Sequence, residues 1–136
     1  MTPRHARERS IGHSLHVYSV FVTRYRRGIL TDALLTRCET VMRDMCARLG
    51  GELREFNGKD DRVHLLVHYP PKLPISTLVN RLKRVSVHYL RKEFDQHVRH
   101  HLQADHFWSP SYLATSCGGA PPNIIKDYIE QQKRPD

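Results

Sequence analysis

The chain has 136 residues, 39% of them hydrophobic, which is enough for one domain with its own core. It contains no apolar run of the roughly 18 residues that cross a membrane, and its first residues are polar and basic, so we expect a soluble intracellular protein. Lysine and arginine number 22 against 14 acidic residues. The resulting charge of +8 favours a polyanionic partner such as a nucleic acid, a merely solubilising basic surface being the alternative.

The first third of the chain predicts an arm, a strand and a helix. Residues 1–13 are rich in arginine and poor in apolar side chains, which is typical of a flexible basic arm, so the domain is expected to span residues 14–136. Residues 15–24 alternate around β-branched and aromatic side chains and are predicted as a strand. Thr31 is placed to cap a helix whose apolar residues recur at helical spacing until Gly50 and Gly51.

The middle of the chain predicts two strands and a second helix. Residues 52–56 are predicted as a strand, Asn57 and Gly58 as a hairpin turn, and residues 62–69 as a buried strand. Ser76 is placed to cap an amphipathic helix with a basic outer face. Residues 95–106 are rich in histidine and show no helical period, so they are predicted as a loop.

The last third predicts a strand and a terminal helix. Residues 107–116 resemble a strand, in which Pro110 requires an edge or a bulge. Asn123 is placed to begin a helix that runs to about Gln132. The order of elements predicts an α+β fold, a ferredoxin-like βαββαβ antiparallel sheet with helices on one face and one appended C-terminal helix. Because this fold hosts many functions, it does not identify the chemistry.

The three cysteines are few and widely spaced. Cys38 and Cys46 fall within one predicted helix, and the third is Cys117. This pattern argues against a disulfide framework and against a CxxC metal site, so we expect all three to be small core residues.

The strand of residues 62–69 combines an apolar face with a polar one. Alternate side chains of a strand share a face, so Arg62, His64, Leu66 and His68 point one way. The opposite face is apolar and is expected to be core. A face that carries charge and imidazole beside apolar neighbours is where a polar site can be built.

The terminal helix carries two residues that suit chemistry. Tyr128 and Gln132 are four residues apart and therefore lie on the same helical face. Tyrosine can serve as a covalent nucleophile, and an amide oxygen can bind a hard cation. A tyrosine in an amphipathic helix is nevertheless more often a core or interface residue.

Several segments, in a fixed order over residues 15–134, carry a more specific signal. They are Asp61-Arg62-Val63-His64-Leu65-Leu66, Tyr69-Pro70-Pro71-Lys72, Trp108-Ser109-Pro110-Ser111-Tyr112, Gly118-Gly119-Ala120-Pro121 and Tyr128-Ile129-Glu130-Gln131-Gln132, with a looser match at Thr23-Arg24-Tyr25-Arg26-Arg27. In these segments the sequence resembles the TnpA-type transposases of the smallest bacterial insertion sequences, which are single-tyrosine members of the HUH superfamily.

The resemblance implies an enzyme that cleaves and rejoins single-stranded DNA at hairpin-bearing element ends through a 5′-phosphotyrosine intermediate. It implies that Tyr128 is the nucleophile and that His64 and Gln132 are ligands of Mg²⁺ or Mn²⁺. It further implies a homodimer in which each tyrosine helix completes the partner's site. Such an enzyme would work in the cytoplasm, on the nucleoid.

Arg62 departs from this family pattern, which has histidine there. A guanidinium has no lone pair for a metal. His68 is four residues from His64, roughly 13 Å along a strand, so it is not expected to replace the missing ligand, and Leu66 offers none. Three interpretations stay open: Arg62 contacts the scissile phosphate, a weaker site of His64, Gln132 and waters binds Mg²⁺, or cleavage is lost and DNA binding is kept.

Other basic, aromatic and histidine residues are candidates for binding. Those expected to contact DNA are Arg26, Arg27, Lys72, Arg81, Lys83, Arg84, Trp108 and Tyr112. For Trp108 core packing is an equal alternative, and a basic helix face is often only solvated. A transition-metal site at His97, His100, His101 and His106 would require those residues to be helical.

The sequence therefore leaves three functions. The first is a single-strand DNA transposase with an altered metal site. The second is a catalytically impaired protein derived from that family, which binds single-stranded DNA or hairpins. The third is a ferredoxin-like RNA-binding module, although no segment matches the RNP pattern of such modules.

Overall fold

The computed structural model describes residues 15–24, 28–102, 106–117 and 123–135. The predicted basic arm of residues 1–13, the cations Arg26 and Arg27 and the segment 118–122 lie outside the described residues. Within them the chain forms one four-stranded sheet and four helices. No helix of this part is long and apolar enough to cross a membrane.

The strands and helices follow the predicted order, with one additional helix before the last strand. The strands are β1 (His16–Thr23), β2 (Glu52–Lys59), β3 (Arg62–His68) and β4 (Trp108–Cys117), and the helices are α1 (Asp32–Arg48), α2 (Ile75–Glu93), α3 (Asp95–Leu102) and α4 (Asn123–Glu130). The strand order is β2-β3-β1-β4, and every neighbouring pair is antiparallel. This confirms the ferredoxin-like α+β fold, with Pro110 on an edge strand.

The main core lies between the sheet and helices α1 and α2. Alternate residues of β1 point into it, including Val17 and Phe21. The side chain of Thr31 accepts a hydrogen bond from the Leu34 backbone at 3.2 Å, so the predicted cap of α1 is confirmed. Cys38 and Cys46 are core residues, as predicted, whereas Cys117 on β4 is partly exposed, contrary to the prediction.

The predicted hairpin turn at Asn57 and Gly58 was wrong. Both residues belong to β2, and the turn falls at Asp60 and Asp61. Gly58 is needed for close packing instead, because a Cβ there would lie 2.6 Å from the Arg62 carbonyl oxygen. It would also lie 2.7 Å from a methyl carbon of Leu35 on α1.

Two further local predictions were wrong. Helix α2 begins at Ile75 after Pro74, without a side-chain cap, so Ser76 is not the cap residue. The predicted histidine-rich loop contains helix α3. Val98 and Leu102, four residues apart, are buried, which gives this short helix an apolar anchor.

Helix α4 lies on the face of the sheet opposite to the main core. It contacts β2 and β3. Its residue Ile129 and Leu66 of β3 are both buried, but neither belongs to the main core cluster. The predicted polar face of β3 is therefore partly covered by the appended helix, which brings the terminal tyrosine to that face.

Candidate active site

A groove runs along the sheet face that α4 only partly covers. It has a volume of about 420 Å³ and is lined by residues of β1, β3, β4 and α4. The lining residues are Tyr18, Val20, Val22, Arg62, His64, Ser111, Tyr112, Leu113 and Tyr128. The alternation of β1 explains its contribution, since Tyr18, Val20 and Val22 point away from the core.

Tyr128 stands at one side of this groove. Its side chain is 51% exposed, so its hydroxyl can meet a ligand from solvent. The ring lies edge-on to the imidazole of His64, with ring centroids 5.6 Å apart. The structure thus brings the proposed nucleophile and the proposed histidine ligand together within one chain.

His64 is buried and electrically neutral. Its Nδ1 lies 2.9 Å from the Tyr18 hydroxyl, and its Nε2 is buried without a hydrogen-bond partner among the described residues. Burial, and then the charges of Arg62 and Lys59, lower the pKa of His64 to about 4. The imidazole is therefore uncharged at neutral pH, which is the form that binds metals.

Gln132 presents a second buried acceptor at the end of α4. Its amide nitrogen donates to the Tyr128 carbonyl at 3.1 Å, whereas its Oε1 is buried and has no hydrogen-bond partner in the described chain. Buried polar atoms are nearly always satisfied, so buried acceptors of this kind are candidate ligands for a cation. Gln132 Oε1 has lone pairs, and His64 Nε2 has one in the tautomer with the proton on Nδ1, so each can bind a divalent cation; Gln132 does not line the groove of His64 and Tyr128.

Arg62 occupies the position where a further metal ligand is expected. Its Nε and Nη2 donate to the two carboxylate oxygens of Asp61 at 3.0 and 3.3 Å. Hydrogen bonding to Asp61 raises the pKa of Arg62, so its charge is permanent. The described residues contain no group of three or more His, Cys, Asp or Glu side chains placed to hold a metal. Because a guanidinium has no lone pair for a metal, His64 is the one of the two β3 residues Arg62 and His64 that could bind a cation.

His68 does not join this site. Its ring packs on that of His16, with centroids 5.1 Å apart, and it does not line the groove. Leu66, between the two histidines, is buried. The structure therefore places His68 beside His16 and outside the groove of His64 and Tyr128.

A second, basic groove lies between α2 and the start of β4. It has a volume of about 740 Å³, and three of the side chains that line it are the cations Lys83, Arg84 and Arg91. Lys83 donates to the Ser109 carbonyl at 2.9 Å and lies 5.1 Å from the Tyr112 ring centre. Partial burial lowers the pKa of Lys83. Lys83 thus holds β4 against α2 as well as adding charge.

The other residues predicted to contact DNA differ in how far their side chains are exposed to solvent. Lys72, Arg81 and Arg84 are exposed, and Tyr112 is 40% exposed. Trp108 is 5% exposed and donates from its indole nitrogen to the Ser86 hydroxyl at 2.9 Å. The expectation that Trp108 stacks on a base is therefore corrected: its ring packs in the core, the alternative that the sequence left open.

The histidines of α3 are used within the fold. His97 Nε2 lies 2.7 Å from the Ile29 carbonyl oxygen, and His101 Nδ1 lies 3.0 Å from the His97 carbonyl oxygen. The helix that a metal site required is present, but these ring atoms already have backbone partners. Among the described residues, they do not form part of a metal-binding group.

Sequence reasoning missed two residues that shape the site. Tyr18 lies within hydrogen-bond distance of His64, and its place on the outward face of β1 follows from strand alternation. Asn57 binds the end of α4 but was assigned to a turn. No local pattern signals a contact between residues so far apart in the chain.

Known proteins resemble this chain over most of its length. The family described as "Transposase IS200 like" matches residues 12–132. The ISDra2 transposase TnpA of Deinococcus radiodurans is 26% identical over 120 residues, which cover 88% of this chain and 85% of that protein. The transposase for insertion sequence element IS200 of Salmonella typhimurium is 25% identical over 132 residues, covering 95% and 86%.

Two solved structures resemble the fold. A Deinococcus radiodurans R1 chain described as a transposase, known from a crystal structure at 1.90 Å resolution, superposes with a TM-score of 0.68 at 27% identity, covering 88% of this chain and 91% of that one. A REP-associated tyrosine transposase bound to a REP hairpin has a TM-score of 0.58 at 11% identity, covering 87% and 64%. The second likeness concerns the fold alone.

Proposed function

The chain belongs to the IS200-like transposase family, and we propose that it cleaves and rejoins single-stranded DNA at hairpin-bearing element ends, with Tyr128 as nucleophile. The observation that carries this proposal is the meeting of an exposed Tyr128 ring with His64 in one groove. The unpartnered atoms His64 Nε2 and Gln132 Oε1 support a cation-binding site beside the tyrosine.

The proposed reaction exchanges one phosphate ester for another. The Tyr128 oxygen attacks the scissile phosphorus, a phosphotyrosine bond forms to the 5′ side, and the bond to the 3′ oxygen breaks. The phenolic proton is lost and the departing oxygen gains a proton, which leaves a 3′-hydroxyl. Rejoining is the reverse step with a different 3′-hydroxyl, so no oxidant or energy source is needed.

The cofactor we propose is Mg²⁺ or Mn²⁺. His64 and Gln132 would hold it, with waters filling the remaining positions that a Mg²⁺ site commonly leaves to solvent. When bound, such an ion polarises a phosphoryl oxygen. The neutral state of His64, caused mainly by burial, keeps its ring available as a ligand near neutral pH.

Arg62 is proposed to bind the scissile phosphate. Its guanidinium lines the same groove as Tyr128 and keeps a permanent charge through its pairing with Asp61. A fixed cation at that place stabilises the negative charge that builds up on the phosphate during attack. It would thereby supply part of the charge that a fully ligated metal provides.

Single-stranded DNA fits the surroundings of the groove. Leu113, opposite Val20, is an exposed apolar side chain on the groove side of β4. Tyr112, opposite Phe21, presents a 40% exposed ring on the α2 side beside Lys83, where an unpaired base can stack. The basic groove with Lys83 and Arg84 lies on the other side of the same strand, where it can hold phosphates. A fold relative binds a REP hairpin, and we extend hairpin binding to this chain as part of the proposal.

We also propose a homodimer that acts on DNA in the cytoplasm. In this single chain α4 packs on its own sheet, so action in trans would require two protomers to exchange their α4 helices. Mixing Tyr128→Phe with Arg62→Ala protomers tests this. Restored cleavage in the mixture supports exchange, and inactive mixed dimers contradict it.

A second candidate function is DNA binding without cleavage. The observation that favours it is the Arg62 guanidinium in the groove of His64, where its positive charge opposes a nearby cation. In this case the basic groove and the exposed Tyr112 ring would still bind DNA, whereas Tyr128 would have no catalytic role.

One experiment separates these functions. The purified protein is incubated with single-stranded DNA that carries flanking hairpins, with Mg²⁺, with Mn²⁺ or with EDTA, and covalent adducts are mapped to a tyrosine by peptide mass spectrometry. An adduct on Tyr128 that Tyr128→Phe abolishes supports the transposase. Binding without an adduct, with cleavage only in Arg62→His, supports the second function. Equal affinity for RNA of the same sequence would favour an RNA-binding module.

A further inference from the structure

The end of helix α4 is held by one side chain of the sheet. Asn57 on β2 donates from its Nδ2 to the carbonyl oxygens of Ile129 at 3.0 Å and Gln132 at 2.8 Å. Its Oδ1 accepts from the backbone of Gly58 at 2.9 Å, which fixes the direction of the amide. The last carbonyls of a helix lack the usual helical donors, and although the Ile129 carbonyl also accepts from the Gln132 backbone at 3.2 Å, the Asn57 amide ties both carbonyls to the sheet.

Asn57 also lies beside the proposed catalytic histidine. In the β2–β3 register Asn57 is directly opposite His64, and directly opposed side chains share a sheet face at roughly 5 Å. The same residue therefore touches the helix that carries Tyr128 and neighbours the strand position that carries His64. Its contact also fixes the backbone of Gln132.

Helix α4 needs such an anchor. It has eight residues, which is too few for a helix to be stable on its own. Ile129 is its one fully buried side chain in the described structure, and apolar burial alone does not fix rotation or sliding. Arg134 adds a tether beyond the helix, donating to the Asp32 carbonyl at 3.3 Å and the Thr36 hydroxyl at 3.0 Å.

We propose that Asn57 is a positioning residue that fixes the tyrosine helix, so that Tyr128 and Gln132 meet His64 in a working geometry. The inference deepens the proposed function and rests on it. It assigns to Asn57 no contact with DNA or metal; it acts only through α4. This role explains why an asparagine stands inside a strand, where it is not usually favoured.

The test is Asn57→Asp, an isosteric change that turns an oxygen toward the helix carbonyls in place of the donor. A matched control is Gln131→Glu, the same amide-to-carboxylate change at an exposed position of the same helix end. Amide hydrogen exchange of residues 123–132 reports how firmly the helix is held. Adduct formation and single-stranded DNA affinity are measured in parallel.

For Asn57→Asp we expect exchange of residues 123–132 to be at least about tenfold faster and adduct formation to slow by a similar factor, with DNA affinity within about twofold of wild type. Gln131→Glu should change the exchange of residues 123–132 and the rate of adduct formation less than Asn57→Asp does. Unchanged exchange in Asn57→Asp overturns the inference, as does an equal effect of both variants. If Asn57→Asp does not fold, Asn57→Ala gives the same comparison without added charge.

The exchange result also separates this inference from the proposed function. If wild-type protein forms no adduct, the proposed cleavage fails, yet faster exchange in Asn57→Asp still shows that Asn57 holds the helix. If the wild-type protein forms the adduct, and Asn57→Asp and Gln131→Glu match it in both adduct formation and exchange, the proposed cleavage is supported and the positioning role of Asn57 is wrong.

Discussion

Two residues of β3, Arg62 and His64, set the electrostatics of the groove. Hydrogen bonding to Asp61 raises the pKa of Arg62 and so secures its charge. Burial and then that charge lower the pKa of His64, so its imidazole is uncharged. A neutral imidazole beside a permanent cation is a stable pair, whereas two cations there would repel each other. This explains how the chain accommodates an arginine two residues before a buried histidine on the same face of β3.

The pH dependence of stability follows from His64. Its pKa is about 4 in the folded protein against an ordinary value of 6.5, so the unfolded chain takes up a proton first as the pH falls. The stability that depends on neutral His64 is fully present above about pH 6.5 and is lost progressively as the pH falls from 6.5 toward 4. Between pH 7.5 and 5 the metal-free protein should lose about 2 kcal/mol more unfolding free energy than His64→Gln. Urea unfolding in EDTA measures this, and parallel losses in the two proteins would contradict it.

Tyr18 is expected to set the tautomer of His64. Neutral imidazole carries one proton, so Nε2 offers a lone pair only when Nδ1–H donates to the Tyr18 hydroxyl. Tyr18→Phe should therefore weaken Mn²⁺ binding by roughly tenfold, as removal of such supporting partners commonly does. Titration of Mn²⁺ by electron paramagnetic resonance measures it. Tyr89→Phe, the same change on α2, is the control, and an equal loss there would refute the assignment.

At the scale of elements, the sequence predicted most boundaries because local signals coincide with tertiary demands. Thr31 both begins a periodic apolar stripe and caps α1, so local pattern and structure agree. Asn57 and Gly58 carry a strong local turn signal that packing overrides: Gly58 lies against α1 and Asn57 against α4.

The sequence did not predict helix α3, because among its polar histidines only Val98 and Leu102 are buried apolar residues at helical spacing. The contacts that place α4 join residues more than seventy positions apart, and local patterns do not encode such pairs.

Ser86 tests the packing of β4 on α2. Its hydroxyl accepts from the Trp108 indole and donates to the Leu82 carbonyl, all out of contact with water. Ser86→Ala leaves a buried N–H without a partner and should lower the unfolding free energy by about 1–3 kcal/mol.

Ser76→Ala provides the comparison on the same helix. Ser76 is exposed and is not the helix cap, so this change should stay within about 0.5 kcal/mol of wild type. Chemical denaturation of the two variants decides the point. A loss in Ser76→Ala as large as that in Ser86→Ala would restore the capping role that the sequence suggested.

At the scale of the whole molecule, the two grooves share β4 and would bind different parts of a DNA strand under the proposed function. Residues 109 and 110 of β4 border the basic groove, and residues 111–113 border the groove of Tyr128. Under the proposed function, a strand of DNA that crosses this edge would leave phosphates on α2, stack a base on Tyr112 beside Lys83 and then reach the groove of Tyr128. The sequence located the cations of α2 but not this arrangement, because only the fold shows which side of β4 they occupy.

This division predicts that the position of a charge matters more than the net charge of +8. Arg84→Ala removes an exposed cation from the basic groove, so single-stranded DNA affinity should fall several-fold and the slope of log affinity against log salt should decrease in magnitude by roughly 0.7. Arg48→Ala removes the same charge from the exposed end of α1, where its partner is Asp44, and should leave the salt slope nearly unchanged. Fluorescence anisotropy over a salt series distinguishes the two. Equal slopes for both variants would mean that DNA responds only to overall charge and that the basic groove is a solvated surface.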